Sequence, residues 1–235
     1  MSETGLSTVQ AAWSAYQAAE ADRLRRARVK HLQVLIDHLL ASPDTERHAW
    51  ALDIAQSSVD GREATPVRLP LFRAILFPEL HAGMLGSEPG CARWLAGLAP
   101  LLYRSPECRE MLPRSWQTED GLLREALRQD PSDDVSRLRL IKNIAQQLEY
   151  SLHELPTGVL YGHDGASIAQ CRELQADLTE FESLITKASA IPEHVQLIAD
   201  CRLHYWAYPD YLAHQNRYRS YADYLAMHRP GSAQP

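Results

Sequence analysis

Four residues in the second half of the chain have side chains that could ligate a metal ion or exchange protons. His153 and Glu154 are adjacent, and His163 and Asp164 lie in the glycine-containing loop that follows them. Imidazole and carboxylate groups serve as zinc ligands and as general acids or bases, although metalloproteases space two histidines four residues apart on one helix. Structural roles also suit two of them, because Asp164 could cap a helix and His153 could lie at its negative end. An enzyme, metal-dependent or acid–base, centred on these four residues is our alternative hypothesis.

Aromatic residues accumulate near the end of the sequence, where binding rather than catalysis is the relevant chemistry. Six of the ten tyrosines lie between Tyr205 and Tyr224. Tyrosine combines a large apolar ring with a polar tip at a small entropic cost, which favours it in recognition surfaces. The other explanation is that the rings close a helical core. The candidate binding residues are Tyr205, Tyr208, Tyr211 and Tyr218.

Nucleophilic and nucleotide-binding motifs are missing from the sequence. It contains no GxSxG elbow and no glycine-rich phosphate loop. One basic run could contact nucleic acid, and it consists of Arg23, Arg25, Arg26, Arg28 and Lys30. A charged run on a helix is usually a solvated face, and the net charge of −6 disfavours a nucleic-acid partner.

The cysteines and the hydropathy pattern bear on cofactors and location. Cys91, Cys108, Cys171 and Cys201 show no paired short spacing of the zinc or redox kind, so we expect buried, reduced thiols and no cofactor. The N-terminus lacks a basic region followed by an apolar run, and no apolar stretch reaches the length that spans a bilayer. We therefore expect a cytoplasmic protein with no membrane contact.

A central helix is predicted between Ser132 and Leu155. Its apolar residues recur every three or four positions, the spacing of one helical stripe, and they are Val135, Leu138, Ile141, Ile144, Ala145, Leu148, Leu152 and Leu155. Ser132 suits the first cap, and Pro156 with Gly158 prevents continuation. This helix positions His153 and Glu154 at its end. We expect it to form an antiparallel pair with a helix that Asp164 caps and that runs to about Ala188.

The same periodicity extends through the chain, and no alternating strand pattern interrupts it. We predict an all-α bundle of about nine or ten helices, with one long N-terminal helix from Thr4 to Ser42 or two coaxial pieces. No Gly-, Ser- or Pro-rich linker separates two halves. Residues 1–235 are therefore predicted to form a single domain, with a sub-boundary at 62–69 between an N-terminal hairpin and the main core.

These observations favour a binding protein over an enzyme. The leading hypothesis is a cytosolic, bacterial-type adaptor or immunity-like inhibitor that binds another protein stoichiometrically through a rigid helical face. This hypothesis rests on elimination and on analogy with other helical proteins.

Overall fold

The computed structural model describes residues 3–61, 66–154, 167–188 and 191–228. All of the regular secondary structure in these ranges is helical, and the ranges contain no strand. The prediction of an all-α fold is therefore confirmed. Four of the residues in the predicted sub-boundary, 62–65, lie outside the described residues.

The helices follow one another with short connections, and they are numbered here in chain order. They are α1 (Glu3–Ala21), α2 (Arg25–Ala41), α3 (Asp44–Asp60), α4 (Leu69–Leu71), α5 (Phe77–Leu85), α6 (Cys91–Gly97), α7 (Ala99–Tyr103), α8 (Pro106–Glu110), α9 (Glu119–Gln129), α10 (Asp134–Glu154), α11 (Ile168–Lys187), α12 (Ile191–His214) and α13 (Tyr221–His228). Short 3-10 turns occupy Arg114–Trp116 and Gln215–Arg217.

The chain folds into two compact units. Unit 1 comprises Met1–Ser136 and unit 2 comprises Arg137–Pro235. The boundary between them falls within the sequence of α10. The composition around Ser136 gives no sign of this division, because the residues there continue a helix.

The N-terminal region is a helical hairpin and not one long helix or a coaxial pair. The helices α1 and α2 pack against each other, and the chain reverses at Arg23, whose φ is +56°. Leu24 N donates to Ala19 O, and Arg23 N donates to Glu20 O. These two hydrogen bonds form a Schellman motif, which ends a helix. Glycine usually occupies the left-handed position of this motif, so arginine gave no stop signal in the sequence.

In unit 1, α6 packs against α9 and against α5, which is the last part of a continuous helical segment. In that segment α4, a π-helical turn at Phe72–Leu76 and α5 follow without a break. The Phe77 amide donates to Phe72 O, five residues back. This wider turn precedes Pro78, which has no N–H to donate, so the chain passes the proline without ending the helix. The buried residues here include Leu71, Phe72, Ile75, Leu76, Phe77, Leu80, Leu95, Leu122 and Leu123.

The central helix is confirmed as α10, with two corrections. Asp133, and not Ser132, caps its start, because Asp133 Oδ1 accepts the Ser136 amide at 3.1 Å. Val135 and Leu138 are exposed, so the first turn of the predicted stripe is wrong. The buried stripe consists of Ser136, Arg137, Leu140, Ile141, Ile144, Ala145, Leu148 and Ser151. Polar residues begin this stripe, which is why apolar periodicity alone misplaced it.

In unit 2, α11 begins at Ile168 rather than just after Asp164. Ser167 caps it through a reciprocal box with Gln170. Asp164 lies outside the described residues. Gln147 of α10 donates to Asp177 of α11 at 3.4 Å, so these two helices are in contact. The helix α11 also packs closely against α12, with which it forms an antiparallel pair.

Candidate functional site

The four residues of the enzyme hypothesis are only partly described by the structure. His153 is exposed and Glu154 is half-buried at the end of α10. His163 and Asp164 lie outside the described residues, so the hypothesis stays a prediction. Within the described ranges, no group of three or more histidine, cysteine, aspartate or glutamate residues is placed to hold a metal ion.

Two of the four candidate tyrosines are buried on α12. Tyr205 is completely buried, and its hydroxyl is hydrogen-bonded to the Ser151 hydroxyl of α10. Its backbone carbonyl accepts Gln175 Nε2 of α11 at 2.8 Å, so Tyr205 connects three helices of unit 2. Burial is the main reason that its pKa is raised. Tyr208 is also buried, with its ring 4.9 Å from that of Tyr221. Both side chains therefore pack inside unit 2.

The other two candidates, Tyr211 and Tyr218, are half-buried within an aromatic cluster. The Tyr218 ring meets the Tyr224 ring edge-on at 5.0 Å, and Tyr224 stacks on His228 at 4.3 Å. Tyr224 Oη donates to Asp210 Oδ2 at 2.6 Å. Burial and this hydrogen bond raise the pKa of Tyr224 to about 12. The cluster fixes α13 against α12, and a binding role for Tyr211 and Tyr218 stays a prediction.

A groove with an apolar lining lies between α11 and α12 in unit 2, and the sequence did not predict it. Its volume is about 340 Å³. Ile185 and Ile198 are buried in its floor, whereas Val195 is exposed at its rim. Arg202 and Glu182 close one end through a two-point ion pair of 3.0 and 3.1 Å.

Trp206 extends this surface by one helical turn. It lies four residues beyond Arg202 on α12, and it is 54% exposed. The spacing of four, three and four residues puts Val195, Ala199, Arg202 and Trp206 on one face of the helix. We call these four residues, with Ile185 and Ile198, the α12 surface. Its signal in the sequence was Trp206 on a helix whose other aromatic residues follow a different stripe.

An ionic cluster in unit 1 joins charged side chains from three parts of the chain. Glu79 accepts Arg47 Nε at 2.6 Å and His48 Nδ1 at 2.9 Å. The other ring nitrogen, His48 Nε2, donates to Glu88 Oε2 at 2.8 Å. A neutral imidazole has one N–H, so two carboxylate partners require the charged form of His48. The cluster ties α3 to α5 and to the turn that follows α5.

The pKa of His48 reflects opposing causes. Burial lowers it, and the hydrogen bonds to Glu88 and Glu79 outweigh burial, so the pKa is raised above 6.5. The folded chain therefore holds this proton more tightly than the unfolded chain. The resulting stabilisation is complete below the unfolded pKa and is lost as the pH rises through the folded pKa. We expect the free energy of unfolding to fall by on the order of 1 kcal/mol above about pH 6.5, as measured by urea denaturation.

The matched control for this pH dependence is His48→Gln, which keeps a donor but cannot be protonated. His81, whose pKa is lowered by burial, titrates in both proteins and cancels from the difference between their stability curves. A difference that does not change with pH would show that His48 is not responsible.

The cysteines and the basic run complete the set of sequence candidates. All four thiols are free and buried, and burial raises the pKa of Cys91 to about 12 and that of Cys201 to about 11. In the basic run, Arg23, Arg25 and Arg26 are exposed, but Arg28 turns to Glu20 of α1 at 3.4 Å. One guanidinium of the run therefore contributes to the contact between α1 and α2 in the N-terminal hairpin.

The chain matches no protein-family model, no curated protein and no solved structure. Among the helices of the described ranges, none has the length and apolar content needed to span a bilayer.

Proposed function

We propose that this chain is a cytosolic helical module that binds another protein stoichiometrically, as an adaptor or an immunity-like inhibitor of bacterial type. The observation that carries the proposal is the α12 surface, where Trp206 lies in line with Arg202 and with the apolar groove. Tryptophan and arginine are enriched among the residues that dominate protein–protein binding energies. The binding face of the proposal is thus on α12, beside the tyrosines.

The shape of the α12 surface suits a helical segment of the partner. Val195 and Trp206 are eleven residues apart, which is about 16 Å along a helix, or three turns. A partner helix can place apolar side chains at successive turns over such a length. The groove would take one aliphatic side chain over Ile185 and Ile198, and Trp206 would cover the next turn.

The buried tyrosines have a supporting role in this proposal. Tyr205 and Tyr208 anchor other sides of α12, so that Trp206 is presented on a helix that is fixed in unit 2. A rigid face lowers the ordering cost of association. Tyr211 lies on another side of α12 and Tyr218 lies beyond the end of that helix, and both would enlarge the contact around the aromatic cluster.

The proposal predicts that Trp206→Ala weakens partner binding without changing the fold. We expect affinity to fall by about 2 kcal/mol, or about thirtyfold, because alanine lacks the large contact area that an exposed tryptophan provides in an interface. The melting temperature should stay the same, since the side chain is exposed in the free chain. The measurement is capture of partners from the native cell, followed by titration of the purified partner.

The control for Trp206→Ala is Tyr150→Ala on α10, because Tyr150 is another exposed aromatic residue of unit 2, with 63% of its surface accessible. It should keep the partner that Trp206→Ala loses. Equal retention of that partner by both variants would refute the α12 surface as the binding face. Self-association through α12 would instead appear as a molecular mass that rises with protein concentration, and Trp206→Ala would abolish this rise.

A further inference from the structure

The turn between α1 and α2 in unit 1 carries four exposed cations and two exposed apolar residues. The cations are Arg23, Arg25, Arg26 and Lys30, and the apolar residues are Leu24 and Val29, which are 55% and 60% exposed. In the part of the chain that the structure describes, none of the four cationic side chains has a hydrogen-bond or ion-pair partner. Spacings of three and four residues place Arg26, Val29 and Lys30 on one face of α2. We call these six residues the hairpin-tip patch.

The acidic residues near this turn do not neutralise the patch. Glu20 is shared by two other guanidinium groups, those of Arg28, at 3.4 Å, and Arg68. Asp22 is the one other acid in the sequence between Glu20 and Asp37, and it is exposed. Cations therefore outnumber carboxylates around the turn, in a chain whose net charge is −6.

The stability of the helices does not explain the arginines of the patch. Arg25 and Arg26 lie in the first turn of α2, which contains no acidic residue. The positive end of the helix dipole lies there, so cations at these positions destabilise the helix. Arg23 has a φ of +56°, in the left-handed region that favours glycine. Departures of this kind from the residues that suit the fold are expected at functional sites.

We propose that the hairpin-tip patch binds the surface of an anionic membrane. Guanidinium groups match lipid phosphates in geometry as well as in charge, and anionic headgroups attract clustered cations. Leu24 enters the layer below the headgroups, while Arg23 and Arg25 on either side of it stay at the phosphates. Such a contact needs no membrane-spanning helix, and it differs from the absence of membrane contact that the sequence predicted.

The apolar residues of the patch favour a membrane over a nucleic acid as the partner. Leu24 and Val29 leave water at a membrane, whereas a phosphodiester backbone offers them no apolar contact. The patch also contains no aromatic ring on which an unpaired base could stack. The net charge of −6 opposes the contact only weakly, because physiological salt screens exposed charges that lie more than about 8 Å away.

Sedimentation of the full chain with lipid vesicles tests the proposal. Vesicles of phosphatidylcholine alone are compared with vesicles that also contain about 30% phosphatidylserine, at about 0.15 M salt. For the anionic vesicles we expect an association constant on the order of 10⁴ M⁻¹ in accessible lipid, similar to that of a single myristoyl chain. Neutral vesicles should bind more than about tenfold less, and added salt should weaken binding to the anionic vesicles.

Two pairs of matched variants locate the contact. Leu24→Ser should weaken vesicle binding about tenfold, and serine is a favoured residue at this N-cap position of α2. Leu40→Ser removes a leucine of the same exposure, 55%, near the other end of α2 and should leave binding unchanged. Arg26→Gln should weaken binding about fivefold without loss of stability. Arg114→Gln removes an exposed arginine from the 3-10 turn of unit 1 and should leave binding unchanged.

Several results would overturn the proposal. They are no binding to anionic vesicles, equal binding to neutral vesicles, and equal weakening by Arg26→Gln and Arg114→Gln. Tighter binding of a single-stranded oligonucleotide or of polyglutamate than of anionic vesicles would assign the patch to another partner and would also overturn it. Unchanged binding by Leu24→Ser would overturn the insertion of Leu24. The vesicle measurement needs no protein partner, so its outcome is independent of the proposed function of the α12 surface.

Discussion

Replacing Tyr205 by alanine is expected to lower the free energy of unfolding by about 3 to 5 kcal/mol, the range of large aromatic truncations in cores. Tyr205 is completely buried, and its hydroxyl and carbonyl are hydrogen-bonded to Ser151 and Gln175 on two other helices. The truncation would leave a cavity at the point where α10, α11 and α12 meet. Urea denaturation followed by circular dichroism measures the loss.

The other tyrosines provide a graded comparison for that experiment. Tyr208→Ala should cost a similar amount, because Tyr208 is buried, whereas Tyr211→Ala and Tyr218→Ala should cost clearly less. Tyr150→Ala is the exposed control and should change stability by less than about 0.5 kcal/mol. Similar losses for Tyr205 and Tyr150 would mean that the packing of α12 described above is wrong.

Replacing Glu79 by glutamine is expected to cost about 2 to 4 kcal/mol in the free energy of unfolding. The Glu79 side chain is 11% exposed and accepts charge-assisted hydrogen bonds from both Arg47 and His48. Glutamine keeps the shape but removes the charge, so two cations lose their common partner. Asp44 retains its contact with Arg47 at 2.9 Å, which limits the loss.

Glu107→Gln makes the same chemical change at an exposed ion pair of unit 1. Glu107 contacts Arg73 Nε at 2.8 Å, but its side chain is 56% exposed. Surface ion pairs contribute little, so we expect a loss below about 1 kcal/mol. Equal losses of unfolding free energy in Glu79→Gln and Glu107→Gln would contradict the expectation that burial strengthens the contribution of the Glu79 cluster to stability.

The fold class could be predicted from the sequence because helical periodicity depends only on local spacing. Most of the extent of α10 was readable from its apolar steps. The reversal at Arg23 was not, since the left-handed residue of that motif is not glycine. The start of α11 was misplaced because Asp164 and Ser167 are both good caps, and only the chain geometry chooses between them.

The candidate sites were less predictable, for a different reason. The exposed side of a helix depends on what packs against the other side, so the sequence could not show that Tyr205 is buried and Trp206 exposed. The Glu79 cluster joins residues 31 and 32 positions apart, with no motif between them. Charged contacts of this kind follow from tertiary packing and leave no periodic pattern.

Each unit contains two buried cysteines, and their reaction with a thiol reagent reports how often that unit opens. Cys91 and Cys108 belong to unit 1, and Cys171 and Cys201 belong to unit 2. Thiols react with alkylating reagents as thiolates, and burial raises the pKa of all four cysteines. The folded chain therefore protects these thiols in two ways, because it excludes the reagent and keeps the thiols protonated. The rate at which each pair becomes labelled is then set by how often its unit exposes its interior. The two cysteine pairs are thus natural probes of local unfolding, one pair for each unit.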